Sequence, residues 1–118
     1  MPLHLFYRET MEKHSISLLN DYYGVLLTNK QREMLELFYN DDMSLGELAE
    51  QFSVSRQAVR DAIQRGEKSL FEYEEKLGLA KKSLLLLKTS DELCEKLDSN
   101  EIKSARMCAE KIKAILED

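Results

Sequence analysis

Three helix-start signals punctuate the middle of this chain, and together they commit it to a run of short helices. Thr28 followed by Gln31, and Ser44 followed by Glu47, each read as a capping box, in which two side chains satisfy free backbone N–H groups at a helix start. Ser55, after the tight connection Ser53-Val54, is a further N-cap candidate. Apolar residues follow each start with helical spacing. Met34, Leu35, Leu37, Phe38 and Tyr39 form one stripe, closed by the polar turn Asn40-Asp41-Asp42, and Leu45, Leu48, Ala49 and Phe52 form the next. Beyond Ser55, the residues Val59, Ala62, Ile63, Gly66, Leu70, Tyr73 and Leu77 keep a three-and-four spacing. The pattern predicts an all-α fold with a helix-turn-helix core over about 27–77, flanked by an N-terminal helix and by further C-terminal helices.

The exposed start of the third of these helices carries the chemistry. At about 100° per residue, Arg56, Arg60, Gln64 and Gln57 share an arc of roughly 100° opposite the apolar side. Guanidinium groups neutralise phosphates and fork onto guanine O6 and N7, and glutamine pairs two-pronged with adenine. The same four residues would also suit a merely solvated helix face. Arg65 and Lys68, toward the edge of the arc, would touch phosphates, or else pair with Glu47 or Glu72 within the fold. Gly66 falls on the inner side, where a missing side chain lets another helix approach.

The residues Leu27-Thr28-Asn29-Lys30-Gln31-Arg32-Glu33-Met34-Leu35, Ser44-Leu45-Gly46-Glu47-Leu48-Ala49 and Val54-Ser55-Arg56-Gln57-Ala58-Val59 resemble region 4 of bacterial sigma factors. With the lead-in Asn20-Asp21-Tyr22-Tyr23-Gly24 and the charged helical tail included, nearly the whole chain is similar to the YlxM family of small bacterial helix-turn-helix proteins. That resemblance implies a regulatory role and participation in the signal recognition particle pathway, with the particle's RNA or its GTPase as partner. A sigma factor also needs a domain that holds the core polymerase. This chain has no room for one, so a stand-alone sigma factor is not expected.

Length and composition set further limits. A chain of 118 residues is expected to bury one ordinary core as a single helical domain. The one proline, Pro2, and four scattered glycines leave long stretches open to helix. The longest leucine run, Leu84 to Leu87, is far short of the ~20 apolar residues that span a bilayer. The start, Met1-Pro2-Leu3-His4, lacks the plan of a secretory signal, so a cytoplasmic protein without membrane insertion is expected. Cys94 and Cys108 are accordingly expected as free thiols.

The net charge of −5 argues against indiscriminate nucleic-acid binding, in which positive charge supplies most of the affinity. Its distribution matters more. Residues 44–88 hold eight basic and seven acidic side chains, whereas both flanking segments are acidic. Acidic ends would restrict a polyanion to one docking face. The same balance admits a motif turned to protein binding.

The flanks read as scaffold. From Phe6 to Leu27, apolar side chains at Met11, Ile16, Leu18, Leu19, Tyr22, Tyr23, Val25 and Leu26 suggest one helix packed on the motif, with Tyr22, Tyr23 and Tyr39 in the core. His4 and His14 have no ligand partners at metal-binding spacing. Leu77-Gly78-Leu79 resembles a glycine C-cap. Beyond it, Thr89 and Glu92 form another candidate capping box, so the stretch is either one bent helix or two, and Asp98-Ser99-Asn100-Glu101 opens a last helix. Four consecutive leucines put apolar atoms on nearly every side of a helix, which predicts homodimerisation through the C-terminal helices, about 79–117.

No residue set points to catalysis. Gly24, Gly46, Gly66 and Gly78 stand alone and form no phosphate-cradling loop. The serines lack a His–Asp partnership, and neither cysteine has a nearby basic residue at helical spacing on an open site that would single it out as a nucleophile. No catalytic residue, cofactor site or metal site is assigned. Three classes of function stay open: a sequence-specific DNA-binding regulator, an accessory protein of the particle binding its RNA or GTPase, and a protein-binding adaptor.

Overall fold

A computed structural model describes residues 13–117, with side chains from Ile16 onward. The described residues contain helices and turns and no strand, the all-α architecture expected. In order they form α1 (Lys13–Tyr23), one 3₁₀ turn (Gly24–Leu26), α2 (Asn29–Tyr39), α3 (Leu45–Phe52), α4 (Arg56–Leu77), α5 (Leu79–Asp98) and α6 (Ile102–Glu117). They fall into two compact units, Met1–Gly78 and Leu79–Asp118. No helix among the described residues is long and apolar enough to cross a membrane. The expected helical stretch from Phe6 to Glu12, and the side chains of His4 and His14, lie outside the described residues.

Local chemistry places the helix starts of the first unit. Thr28 Oγ1 accepts from Gln31 N at 3.2 Å, and Gln31 Oε1 accepts from Thr28 N at 3.4 Å. Ser44 and Glu47 repeat the exchange, with both bonds at 3.1 Å. Ser55 Oγ accepts from Ala58 N at 3.0 Å. The core of the unit gathers Leu19 and Tyr23 from α1, Met34 and Leu35 from α2, Leu48 from α3, and Val59, Ile63, Leu70 and Phe71 from α4. Gly66 admits α2 as its position suggested: a Cβ built there would meet Leu35 Cδ1 at 2.9 Å. Any larger residue would force the Leu35 side chain, or the two helices, to shift.

The stripe toward Leu27 does not continue as one packed helix. α1 ends at Tyr23, and Val25 and Leu26 sit on the 3₁₀ turn with 70% and 52% exposure. Gly24 is closely packed at this turn: a Cβ there would lie 2.7 Å from Asn20 Oδ1 and 3.1 Å from Arg32 Nε, so a larger residue would displace those side chains.

Two carboxylates are buried in this unit. Tyr23 Oη donates to Glu74 Oε1 at 2.6 Å, and Tyr39 Oη donates to Glu67 Oε1. Tyr23 is therefore a core residue as expected, and its hydroxyl also stitches α1 to α4. A buried carboxylate without hydrogen-bond donors costs several kcal/mol, roughly, and each tyrosine hydroxyl offsets part of that cost.

The second unit is an antiparallel pair of helices. α5 runs unbroken through Thr89, whose hydroxyl donates back to the Leu85 carbonyl at 2.8 Å. A Thr89 cap would require non-helical backbone there, so the sequence's two-helix alternative is set aside. α5 closes on Asn100 at φ +60°, with Asn100 N bonded to Leu97 O and Glu101 N to Lys96 O, the paired bonds of a Schellman stop. Cys94 is exposed and Cys108 buried, and both are free thiols.

Candidate nucleic-acid interface

The turn of the motif is set by a left-handed residue. Ser53 adopts φ 54°, ψ 46°, its N–H bonds back into α3, and Val54 N bonds to Ala49 O at 3.0 Å. That stop reverses the chain within two residues, after which Ser55 caps α4. Helix α4 thus leaves the turn with one side of its first two turns uncovered and Val59 and Ile63 buried on the other.

Every residue assigned to the reading face is exposed: Arg56, Gln57, Arg60, Gln64, Arg65 and Lys68. No side chain of the protein's own helices seals that face. Arg65 and Lys68 make no ion pair with Glu47 or Glu72 within the described structure, and the ion pairs found among described residues lie in the second unit. Arg56, Arg60, Arg65 and Lys68 are therefore exposed cations of α4 with no ion pair among the described residues. Gln57 is partly committed, since its Nε2 donates to Asp61 Oδ1 at 2.8 Å along the same helix.

An open groove of about 470 Å³ runs between the starts of α3 and α4, lined by Ser44, Leu45, Gly46, Arg56, Gln57 and Arg60. A second cleft of about 510 Å³ adjoins it and adds Glu47, Ala49, Glu50 and Val54. Glu47 brings negative charge near this surface, but its carboxylate is held at the α3 cap. The Ser44 backbone N–H, and secondarily the Ser44 hydroxyl, keep the Glu47 carboxyl below the usual carboxylate range. The groove's own basic lining is Arg56 and Arg60.

Sequence reasoning placed the six polar residues and missed the α3 side of the groove. The sequence pattern marks Ser44 as a helix start, Leu45 as an inward apolar residue and Gly46 as an isolated glycine. The signal was present in Gly46, a glycine inside a helix with no turn to make.

Two adjoining helices in a capped, tight-turn arrangement, the second exposing an Arg–Gln arc, define a helix-turn-helix protein. The family model described as "Putative helix-turn-helix protein, YlxM / p13 like" matches residues 10–115, so the chain belongs to that family. It is 50% identical to a UPF0122 protein of Desulforamulus reducens over 105 residues, 89% of this chain and 90% of that one. Over 99 residues it is 42% identical to a UPF0122 protein of Symbiobacterium thermophilum, 84% of this chain and 92% of the relative. A UPF0122 protein of Caldanaerobacter subterraneus subsp. tengcongensis is 51% identical over 80 residues, 68% of each chain.

Proposed function

We propose that this protein is a cytoplasmic helix-turn-helix regulator that binds nucleic acid through α4 and takes part in the signal recognition particle pathway. The observation that carries the nucleic-acid reading is the exposed arc of α4 with Arg56 and Arg60, flanked by Arg65 and Lys68, none of which forms an ion pair among the described residues. The pathway assignment is supported by the resemblance to the YlxM family alone.

A convex helix bearing arginine and glutamine suits the major groove of B-form DNA, which admits an α-helix. A-form RNA has a deep, narrow major groove that excludes one. In this reading Arg60 and Gln64 face base edges, while Arg65 and Lys68 reach phosphates. The C-terminal unit leaves Leu84, Leu87, Ile102, Met107 and Leu116 exposed. Pairing of two copies through these side chains would give a duplex reader two half-sites.

Sequencing the nucleic acid cross-linked to the protein in cells tests the reading directly. Enriched operator DNA supports it, particle RNA transfers the site to backbone recognition, and neither defeats it. On the recovered duplex, Arg60→Ala is expected to cost about 1–3 kcal/mol and to loosen preference at one base pair. Unchanged specific binding would remove α4 as the reading element. A protein-binding adaptor of the particle's GTPase is the second reading. It is favoured by the net charge of −5 and by the exposed leucines, and pull-down of that GTPase free of nucleic acid would support it.

A further inference from the structure

Arg56 opens α4, yet its guanidinium does not extend along the reading arc. It lies back against the start of α3. A Cβ built on Gly46 would meet Arg56 Nη2 at 3.1 Å, Nε at 3.3 Å and Cζ at 3.4 Å, and these are its three nearest atoms. Gly46 has ordinary helical backbone, since Gly78 is the only glycine among the described residues with positive φ. Glycine weakens a helix relative to alanine, and nothing in the backbone of α3 requires it here. What its missing side chain provides is the space that Arg56 occupies.

We infer that Gly46 is a positioning residue for Arg56, and that Arg56 so held clamps a backbone phosphate while Arg60 and Gln64 read the bases. This rests on the nucleic-acid reading above and divides its labour. In helix-turn-helix docking the first helix crosses the sugar–phosphate backbone and the second lies in the groove. Helix α3 is that first helix, so a guanidinium resting on its start stands over the backbone. The groove it occupies is shared with Ser44 and Arg60. Glu47 and Glu50 line the adjoining cleft, but neither forms an ion pair with Arg56 among the described residues, and Glu47 is committed to the Ser44 N–H. Gln57 beside it is turned along its own helix to Asp61. Arg56 therefore keeps its donors for an external oxyanion.

The test uses the DNA duplex that the wild-type full chain enriches from a random-sequence library. Affinity is measured across salt concentrations for Gly46→Ala, Arg56→Ala, the double variant and Arg60→Ala. One lost phosphate contact flattens the slope of log K against log salt by about 0.9. Gly46→Ala and Arg56→Ala are each expected to show that loss with base preference intact. The double variant should match Arg56→Ala, and Gly46→Ala should melt no lower than wild type, because the displaced group is the free end of a flexible side chain. Relaxed preference at one base pair in Arg56→Ala would make Arg56 a reader and overturn the clamp. An unchanged slope in Gly46→Ala beside a flattened one in Arg56→Ala would overturn the positioning role, as would a lowered melting temperature. If the wild type enriches no duplex, the nucleic-acid reading itself fails, a result visible before any variant is made.

Discussion

The two units of this chain use leucine in opposite ways. In the first, Leu19, Leu35, Leu48 and Leu70 are almost wholly buried. In the second, Leu84, Leu85, Leu87 and Leu97 are all at least 45% exposed, and the buried residues are Ala80, Thr89, Ala105 and Cys108. The composition of the helices differs less than their number of neighbours. Around α4, three other helices supply covering surfaces, so a broad apolar face finds partners on several sides. A pair of helices has one shared seam, which small residues fill closely, and apolar side chains off that seam have nothing within the pair to meet. Four successive leucines cannot all lie on a single seam.

The contrast predicts unequal penalties for one chemical change. Leu48→Ala is expected to cost about 2–5 kcal/mol in urea unfolding, the range for a buried leucine whose site collapses only partly. Leu87, at 61% exposure, should cost within about 0.5 kcal/mol when changed to alanine. A Leu87→Ala penalty of several kcal/mol that shrinks on dilution would show a second copy covering the face. Equal, concentration-independent penalties would break the comparison. Next in size is Tyr23→Phe, which removes the hydroxyl donating to buried Glu74 and should cost about 1.5–3 kcal/mol. A near-neutral result would mean that Glu74 is satisfied without it.

What the residues declared in advance was local. The caps at Thr28, Ser44 and Ser55, the glycine stop at Gly78 and the close approach at Gly66 depend on a few neighbouring positions, and the structure shows each of them. The exposed arc of α4 was legible for the same reason, because helical periodicity fixes which side chains lie opposite the core. Glu67 and Glu74 were not. They fall at Ile63 plus four and Leu70 plus four, so the spacing put them on the inner face, but the tyrosine hydroxyls that donate to them there come from α1 and α2, far away in sequence. The Gly46–Arg56 contact was hidden likewise, since it exists only once the turn brings α3 and α4 together. The lead-in Asn20-Asp21-Tyr22-Tyr23-Gly24 is explained by packing: Asn20 and Gly24 interlock beside Arg32, and Tyr23 holds Glu74.

Among the described residues the first unit holds two left-handed residues other than glycine, Asp42 and Ser53, and the second holds Asn100; the helix stops at Ser53 and Asn100 are expected to respond differently. Ser53 at φ 54° carries the Cβ penalty that glycine escapes. Ser53→Gly should raise stability by about 1 kcal/mol, read as a shift in urea midpoint at constant slope. Asn100 at φ 60° belongs to a residue type that tolerates this region, so Asn100→Gly should gain about half as much. A loss at Ser53 would mean that its side chain contributes to the turn in a way its backbone does not reveal.

The smallest expected effects separate the units by pH. Hydrogen bonds from Ser44 lower the Glu47 pKa, so the unfolded state binds its proton more readily than the folded state. That contribution is complete above the ordinary carboxylate range and is lost as pH falls through the lowered folded value. In the second unit, Glu101 raises the Lys96 pKa, first through a 3.0 Å hydrogen-bonded contact and then through its charge. Its contribution is complete below the ordinary ammonium range and disappears as pH rises through the raised folded value. Glu47→Gln should therefore alter only the acid limb of stability, and Lys96→Met only the alkaline limb. Both groups are exposed, so both effects are small, and salt distinguishes them. The Lys96–Glu101 pair is a contact between two solvated charges and fades at high ionic strength. The Glu47 cap is led by a backbone N–H donor and should persist. If salt abolished both equally, the first unit's cap would be no more than a surface charge effect, and the local chemistry that starts α3 would rest on the Ser44 hydroxyl alone.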